Sequence, residues 1–185
     1  MRFVEGCDFE ELGKHLDKMR WYRSWEDRKH LKEKLDAGSF SLIVWREGSE
    51  VVGHAVWHET STEEHRKGDL RDKEDRETLR RLVGEGKNLV ELHEVGLRME
   101  HRGKGYGKRF FEFFEEFISD RGYGGIVYYA FDSAAVAICR QRGYKEDYGL
   151  EEAGPEGEMH TCYTFYLALE KNETLKWRAS DASKS

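Results

Sequence analysis

Val90-Glu91-Leu92-His93-Glu94-Val95-Gly96-Leu97-Arg98-Met99-Glu100-His101-Arg102-Gly103-Lys104-Gly105-Tyr106-Gly107-Lys108-Arg109-Phe110-Phe111 decides how this chain is read. A short apolar run enters a loop of alternating glycines, and the loop runs straight into an amphipathic helix. That order sets bare backbone N–H groups at a helix N-terminus, where the amides and the helix dipole hold a phosphate. Gly103, Gly105 and Gly107 let the main chain approach an anion without an intervening Cβ. Arg102, Lys104 and Lys108 add positive charge at the same place. The segment reads as a pyrophosphate cradle; the plain alternative is a glycine-rich turn that caps a helix.

Spacing narrows the reading. A dinucleotide fingerprint needs G-x-G-x-x-G and a P-loop needs G-x-x-x-x-G-K-[ST]. The glycines here alternate, and Arg109 stands where a P-loop wants Ser or Thr. Neither pattern fits. The segment resembles the acetyl-CoA loop of the GNAT superfamily of N-acetyltransferases, [QR]-x-x-G-x-[GA], which Arg102, Gly105 and Gly107 match in order. A second segment, residues 132–144, is similar to the family pattern N-x-x-A-x-x-x-Y-x-x-x-G-[FY]. Ala135, Gly143 and Tyr144 match in register, while Asp132 replaces the usual Asn and Cys139 the usual Tyr.

Working outward, residues 2–5 suit a first strand. Asp8 suits an N-cap, with Glu11 completing a capping box over a helix at 9–20 that carries Phe9, Leu12, Leu16 and Met19. A second helix falls at 25–36. The aromatic connector Trp21-Tyr22-Arg23-Ser24-Trp25 either lines a pocket or is pinned to the core. Strands follow at 40–45 and 51–58, joined by a Gly-containing hairpin loop. Between Thr62 and Thr78 the only apolar residue is Leu70, so this charged insertion is expected to be solvated and to bury little. A strand over 89–99 leads into the glycine loop. The helix after it presents Phe110, Phe113, Phe114, Phe117 and Ile118 on one face. A strand at 126–131, a helix at 133–142, a strand after Tyr144 and a long strand at 160–169 complete an α+β order. That order is similar to the GNAT fold: a central mixed, mostly antiparallel sheet flanked by helices, with a charged helical insertion between strands 3 and 4. One domain spans residues 1–170, and 171–185 form a polar tail.

Composition sets outer limits. The net charge is −6 with 37% charged residues, which lacks the basic footprint of a nucleic-acid binder. No run has membrane length and no signal peptide is read. Cys7, Cys139 and Cys162 have no metal-ligand spacing and read as reduced thiols of a cytoplasmic protein. His54 and His58 share a strand face without a further ligand nearby, so no metal is expected.

The resemblance implies an acetyl-CoA-dependent N-acetyltransferase that moves an acetyl group to a primary amine by direct attack. The implied partners are acetyl-CoA as co-substrate and a small-molecule or protein amine, with a homodimer left open. Cofactor contacts fall on the backbone of Val95, Gly96 and Leu97, on Arg102, Gly103, Lys104, Gly105, Tyr106, Gly107 and Lys108, and on Asp132. Glu91 falls where family members carry a glutamate general base, with His93 as a second candidate. Period-2 geometry places Glu91, His93, Val95 and Leu97 on one face and Glu94 on the other. Apolar neighbours are expected to raise the pKa of Glu91. Cys139 is the candidate acid for the departing thiolate, or else a packed core thiol. Two rival readings remain: a non-catalytic acyl-CoA-binding module, and an interaction protein that works through residues 62–78.

Overall fold

Local sequence and pairing together explain the elements. The computed structural model describes residues 1–19, 25–68, 72–147, 149, 151–153 and 159–169. In chain order they are β1 (Arg2–Glu5), α1 (Phe9–Leu16), α2 (Trp25–Asp36), β2 (Ser41–Glu47), β3 (Glu50–Ser61), α3 (Asp72–Val83), β4 (Asn88–Leu97), α4 (Tyr106–Asp120), β5 (Gly125–Ala130), α5 (Ser133–Gln141), β6 (Lys145–Asp147), β7 (Glu151–Ala153), β8 (Met159–Thr161) and β9 (Tyr163–Ala168). Asp8 caps α1, its carboxylate accepting from the amides of Glu10 and Glu11. The capping box is only half made, because Glu11 turns outward and forms a two-bond ion pair with Arg46. The strand expected over 160–169 is broken at Cys162 into β8 and β9. Residues 21–24 of the aromatic connector, whose last residue Trp25 opens α2, and the tail at 171–185 lie outside the described residues.

Seven strands form one sheet in the order β1-β2-β3-β4-β5-β9-β6, while β7 and β8 pair separately. Only β4 and β5 run parallel; the other neighbours are antiparallel. One face carries the larger core. There the phenylalanines of α4 and Val136 and Cys139 of α5 pack on Ile43, Trp45, Trp57, Val90, Leu92, Ile126 and Phe165. The other face has two smaller cores. Leu12, Leu16 and Leu31 of α1 and α2 cover Leu42, Val44, Val51 and Val56, and Leu79 of α3 covers Leu89, Val127 and Tyr166. No helix among the described residues is long and apolar enough to cross a membrane.

One irregularity positions the site. Val56 pairs with Glu94, but the next residue, Trp57, pairs with Leu92, so His93 is an extra residue in β4. Such a bulge inverts the alternation of side chains along a strand. Val90 and Leu92 before it, and Val95 and Leu97 after it, all meet the larger core. Glu91, Glu94 and Gly96 therefore share the opposite face. This corrects the simple period-2 expectation, which grouped Glu91 with Val95 and Leu97 and set Glu94 apart. The physical reason is the inserted residue, which a count of two cannot see.

Candidate active site

The β4–β5 ladder holds only three pairs, ending at Leu92 and Tyr128. Both strands continue beyond that point, β4 to Leu97 and β5 to Ala130. The edge of β4 from His93 to Leu97 therefore has no ladder partner on the β5 side, and a cleft opens between parallel strands. Backbone groups lining such a cleft are available to a ligand.

The glycine loop lies at the mouth of this cleft. Gly103 and Gly105 have φ of 73° and 75°, a conformation glycine adopts without a Cβ penalty. Gly105 is the residue before α4 and provides no side-chain cap, so the first amides of α4 are left to other partners. Gly107 serves a different end: a Cβ there would lie 3.1 Å from Ile138, so its absence lets α4 approach α5. Lys104 and Lys108 are exposed. Arg102 bends back, its Nε donating to the Leu97 carbonyl at 3.2 Å and its Nη1 lying 3.7 Å from Asp132. Asp132 also caps α5, accepting from the amides of Ala134 and Ala135. The arrangement suits a diphosphate: bare amides, a helix N-terminus and three cations. Tyr106 contacts Glu47 at 3.4 Å.

Glu91 is 1% exposed and lies under a ring of basic groups. Arg66 Nη2 is 3.2 Å and His93 Nδ1 3.4 Å from its Oε1, while His65 Nδ1 and His58 Nε2 are 3.5 and 3.6 Å from its Oε2. Burial on its own would raise its pKa. The hydrogen bond from His93 and the charges of Arg66, His65 and His58 outweigh burial and pull it down to about 2. The expected upward shift is thus reversed, because the neighbours are hydrogen-bonding and basic rather than apolar. Oε2 of Glu91 and Nδ1 of His58 are buried and make no hydrogen bond, which marks a polar spot able to take a water or a substrate nitrogen. Burial, above all, lowers the pKa of His58.

The charged segment supplies part of this ring. Thr62, His65 and Asp75 are buried, against the expectation of a solvated insertion. Its polar residues are buried because they are paired: His65 Nε2 contacts Tyr129 Oη at 2.6 Å, and Arg66 reaches both Glu91 and Asp75. The Arg66 guanidinium also lies 3.9 Å from the centre of the Tyr129 ring. Among the described residues Arg66 is the one non-glycine with positive φ, at 47°, a strain of the kind held at functional sites. Nothing in an apolar count could have found these residues; the concentration of histidines near one strand was the available signal.

Cys139 lies wholly inside the larger core, and burial followed by the charge of Glu115 pushes its thiol up to about 12. Gly96 leaves room for a side chain, since a Cβ there would stand 2.4 Å from the His54 ring.

A family model described as the acetyltransferase (GNAT) family matches residues 7–144. The chain belongs to that family. No match was found among curated protein sequences. Solved structures similar to this acetyltransferase include an agmatine N-acetyltransferase, with a TM-score of 0.66 at 15% identity over 91% of this chain and 100% of that one. A polyamine N-acetyltransferase of Drosophila melanogaster has a TM-score of 0.61 at 14% identity, over 91% and 100% of the two chains. A ribosomal-protein-alanine N-acetyltransferase of Brucella melitensis gives 0.60 at 14%, with the same coverage. At such identities the likeness is one of fold, and the family match makes the chain an N-acetyltransferase.

Proposed function

We propose that this acetyltransferase carries an acetyl group from acetyl-CoA to a primary amine by direct attack, in the cytoplasm. The observation that carries the reading is the cleft where β4 and β5 part, with the glycine loop at its mouth and buried Glu91 alongside. Acetyl-CoA supplies the activated acyl group. Residues 102–108 hold its diphosphate, with Asp132 steadying Arg102. The backbone of Val95, Gly96 and Leu97 lies along the unpaired edge of β4, where N–H groups suit a developing negative oxygen. Glu91, ionised at a pKa of about 2, orients His93 and His58, and the amine proton leaves to that cluster. Free thiols at Cys7, Cys139 and Cys162 accord with a reducing compartment. The neighbouring folds that act on agmatine and on polyamines support small amines as acceptors.

Release of CoA with a panel of primary amines tests the reading; absence of turnover with every amine, in protein that binds CoA, would leave only a binding module. The cradle has its own test. Lys104 and Lys108 are exposed, so replacing both by Glu should leave the melting temperature alone and weaken CoA binding about tenfold or more by calorimetry. Unchanged affinity would put the diphosphate elsewhere. Gly105 is a poorer probe, because its φ of 75° penalises any side chain.

Cys139 is assigned to packing rather than to acid catalysis, since its thiol is sealed in the core and a thiolate leaves readily. Cys139→Ala should cost about 1 kcal/mol of stability and leave kcat per folded molecule unchanged. A normal melting temperature with a tenfold loss of kcat would return the acid role to this thiol.

A further inference from the structure

Arg66 brings a permanent cation to Glu91. It follows β3 in a turn, and its φ of 47° is a conformation that an arginine takes only at a cost. Its guanidinium lies over the Tyr129 ring at 3.9 Å, with Nη2 3.2 Å from Glu91 Oε1 and Nη1 3.4 Å from Asp75 Oδ2. β5 thus supplies an aromatic plate, while β4 and α3 supply the carboxylates. Both acids are sealed, at 1% and 5% side-chain exposure.

Glu91 also has three imidazoles around it. His93 Nδ1 shares Oε1 with Arg66, while His65 and His58 lie on the Oε2 side. The side chains of His93 and His58 are 42% and 21% exposed, so these two rings form the outer layer over the carboxylate. Phe40 packs on both, with ring centres at 4.9 and 5.1 Å. A buried carboxylate needs a counter-ion, because an uncompensated charge inside a protein is costly. In the absence of Arg66 that counter-ion would be one of the rings, charged by taking up a proton. An imidazolium donates from both nitrogens and accepts at neither, so it cannot receive a proton from an amine. A guanidinium stays charged at any working pH and meets the need without using a ring. Burial above all, with the charges of His93, Arg66 and Lys34, holds His58 below its usual range against the pull of Glu91.

We infer that Arg66 is a positioning residue for acetyl transfer: as the standing counter-ion of Glu91, it leaves the imidazoles around that carboxylate uncharged and able to take the amine proton. The inference rests on the acetyl-transfer reading above and deepens it. The groups in play come from every side: Lys34 of α2, His58 of β3, His65 and Arg66 of the turn, Asp75 of α3, Glu91 and His93 of β4, and Tyr129 of β5. The turn after β3 is tied to the site at two points, His65 on Tyr129 and Arg66 on Glu91. The charged segment thereby belongs to the proton-transfer machinery rather than to a docking surface.

The test is an NMR titration of the histidine rings in protein without ligand. Arg66→Met keeps a similar length and removes the cation, and the pKa of His58 should rise by about one unit or more. Arg66→Lys keeps the cation and should move it by less than half as much. In a Glu91→Gln background the Arg66→Met change should also have less than half its effect, since no carboxylate is left to draw the proton. Arg66→Gln takes the place of Arg66→Met should the latter fail to fold. Where the wild type turns over an amine, the acidic limb of kcat/KM in Arg66→Met should move up in pH with His58, and the plateau at high pH should be kept. A packing role predicts a loss of rate at every pH and no change in the titration. An unmoved His58, an equal rise in Arg66→Lys, or an equal rise in the Glu91→Gln background would each overturn the inference. Should the wild type bind CoA yet turn over no amine, the acetyl-transfer reading fails. The titration still decides whether Arg66 keeps the rings uncharged.

Discussion

Glu91→Gln is expected to lower kcat by about 10²–10⁴-fold, the usual worth of a positioned general base, with CoA affinity nearly intact. The carboxylate is enclosed by Arg66, His58, His65 and His93, and one of its oxygens is left without a hydrogen bond. A neutral amide there keeps the shape and loses the charge that draws the amine proton and restrains Arg66. The proposed diphosphate cradle, residues 102–108, lies outside this ring, so ligand affinity separates the two parts of the site. Steady-state rates at saturating amine and acetyl-CoA, normalised to folded protein, are the measurement. A variant that keeps more than a tenth of wild-type kcat would remove Glu91 from proton transfer. The pH profile carries a further sign. Glu91 is pulled down to about 2, so it is ionised throughout the neutral range. Any acidic limb seen between about pH 5 and 8 then belongs to a neighbouring histidine or to the amine itself.

Gly96→Ala is expected to destabilise the side of the sheet that α1 covers. Its Cβ would stand 2.4 Å from Cε1 and 2.8 Å from Nδ1 of His54, and 3.0 Å from the terminal methyl of Met19. His54 is fully buried and tied at both ring nitrogens, so it has nowhere to retreat. Overpacking of this sort costs about 1–3 kcal/mol, and 1 kcal/mol lowers the melting temperature of a domain this size by roughly 2–4 °C. Gly13→Ala is the contrast. Gly13 is inside α1 and its added Cβ would meet nothing within 4 Å, so that change should stabilise by about 0.4–1 kcal/mol. Scanning calorimetry of both variants decides; an unshifted Gly96→Ala would mean that His54 is free to move.

Much of this was legible in the sequence, and the reasons differ by region. The turn of the glycine loop ahead of α4 and the packed phenylalanines of α4 read correctly because they are local: a turn conformation and a 3.6-residue period are written in adjacent residues. The family match over residues 7–144 agrees with that reading. The sides of β4 did not read correctly, because the phase of a strand after a bulge is set by its partner β3. The pKa direction of Glu91 failed for a related reason. Its basic neighbours arrive from β3, from the turn after it and from the bulge itself, and only pairing brings them within 3.6 Å. The burial of His65 and Asp75 was hidden too, since a polar residue enters a core only with a partner that the linear sequence does not name. The hydrogen bond from Arg98 to His15 joins residues 83 positions apart, beyond the reach of any local rule.

The two small cores on the face opposite α4 have a consequence for motion. The leucines under α1 and α2 and those under α3 belong to separate clusters, whereas the opposite face is bound by one continuous layer. Cooperative units of local opening follow contiguous apolar contacts. The first two helices can therefore breathe away from the sheet without loosening α3 or the phenylalanine layer of α4. In amide hydrogen exchange such an arrangement separates into an early-exchanging front and a late-exchanging back. Opening on one side of the sheet can thus leave the layer on the other side in place.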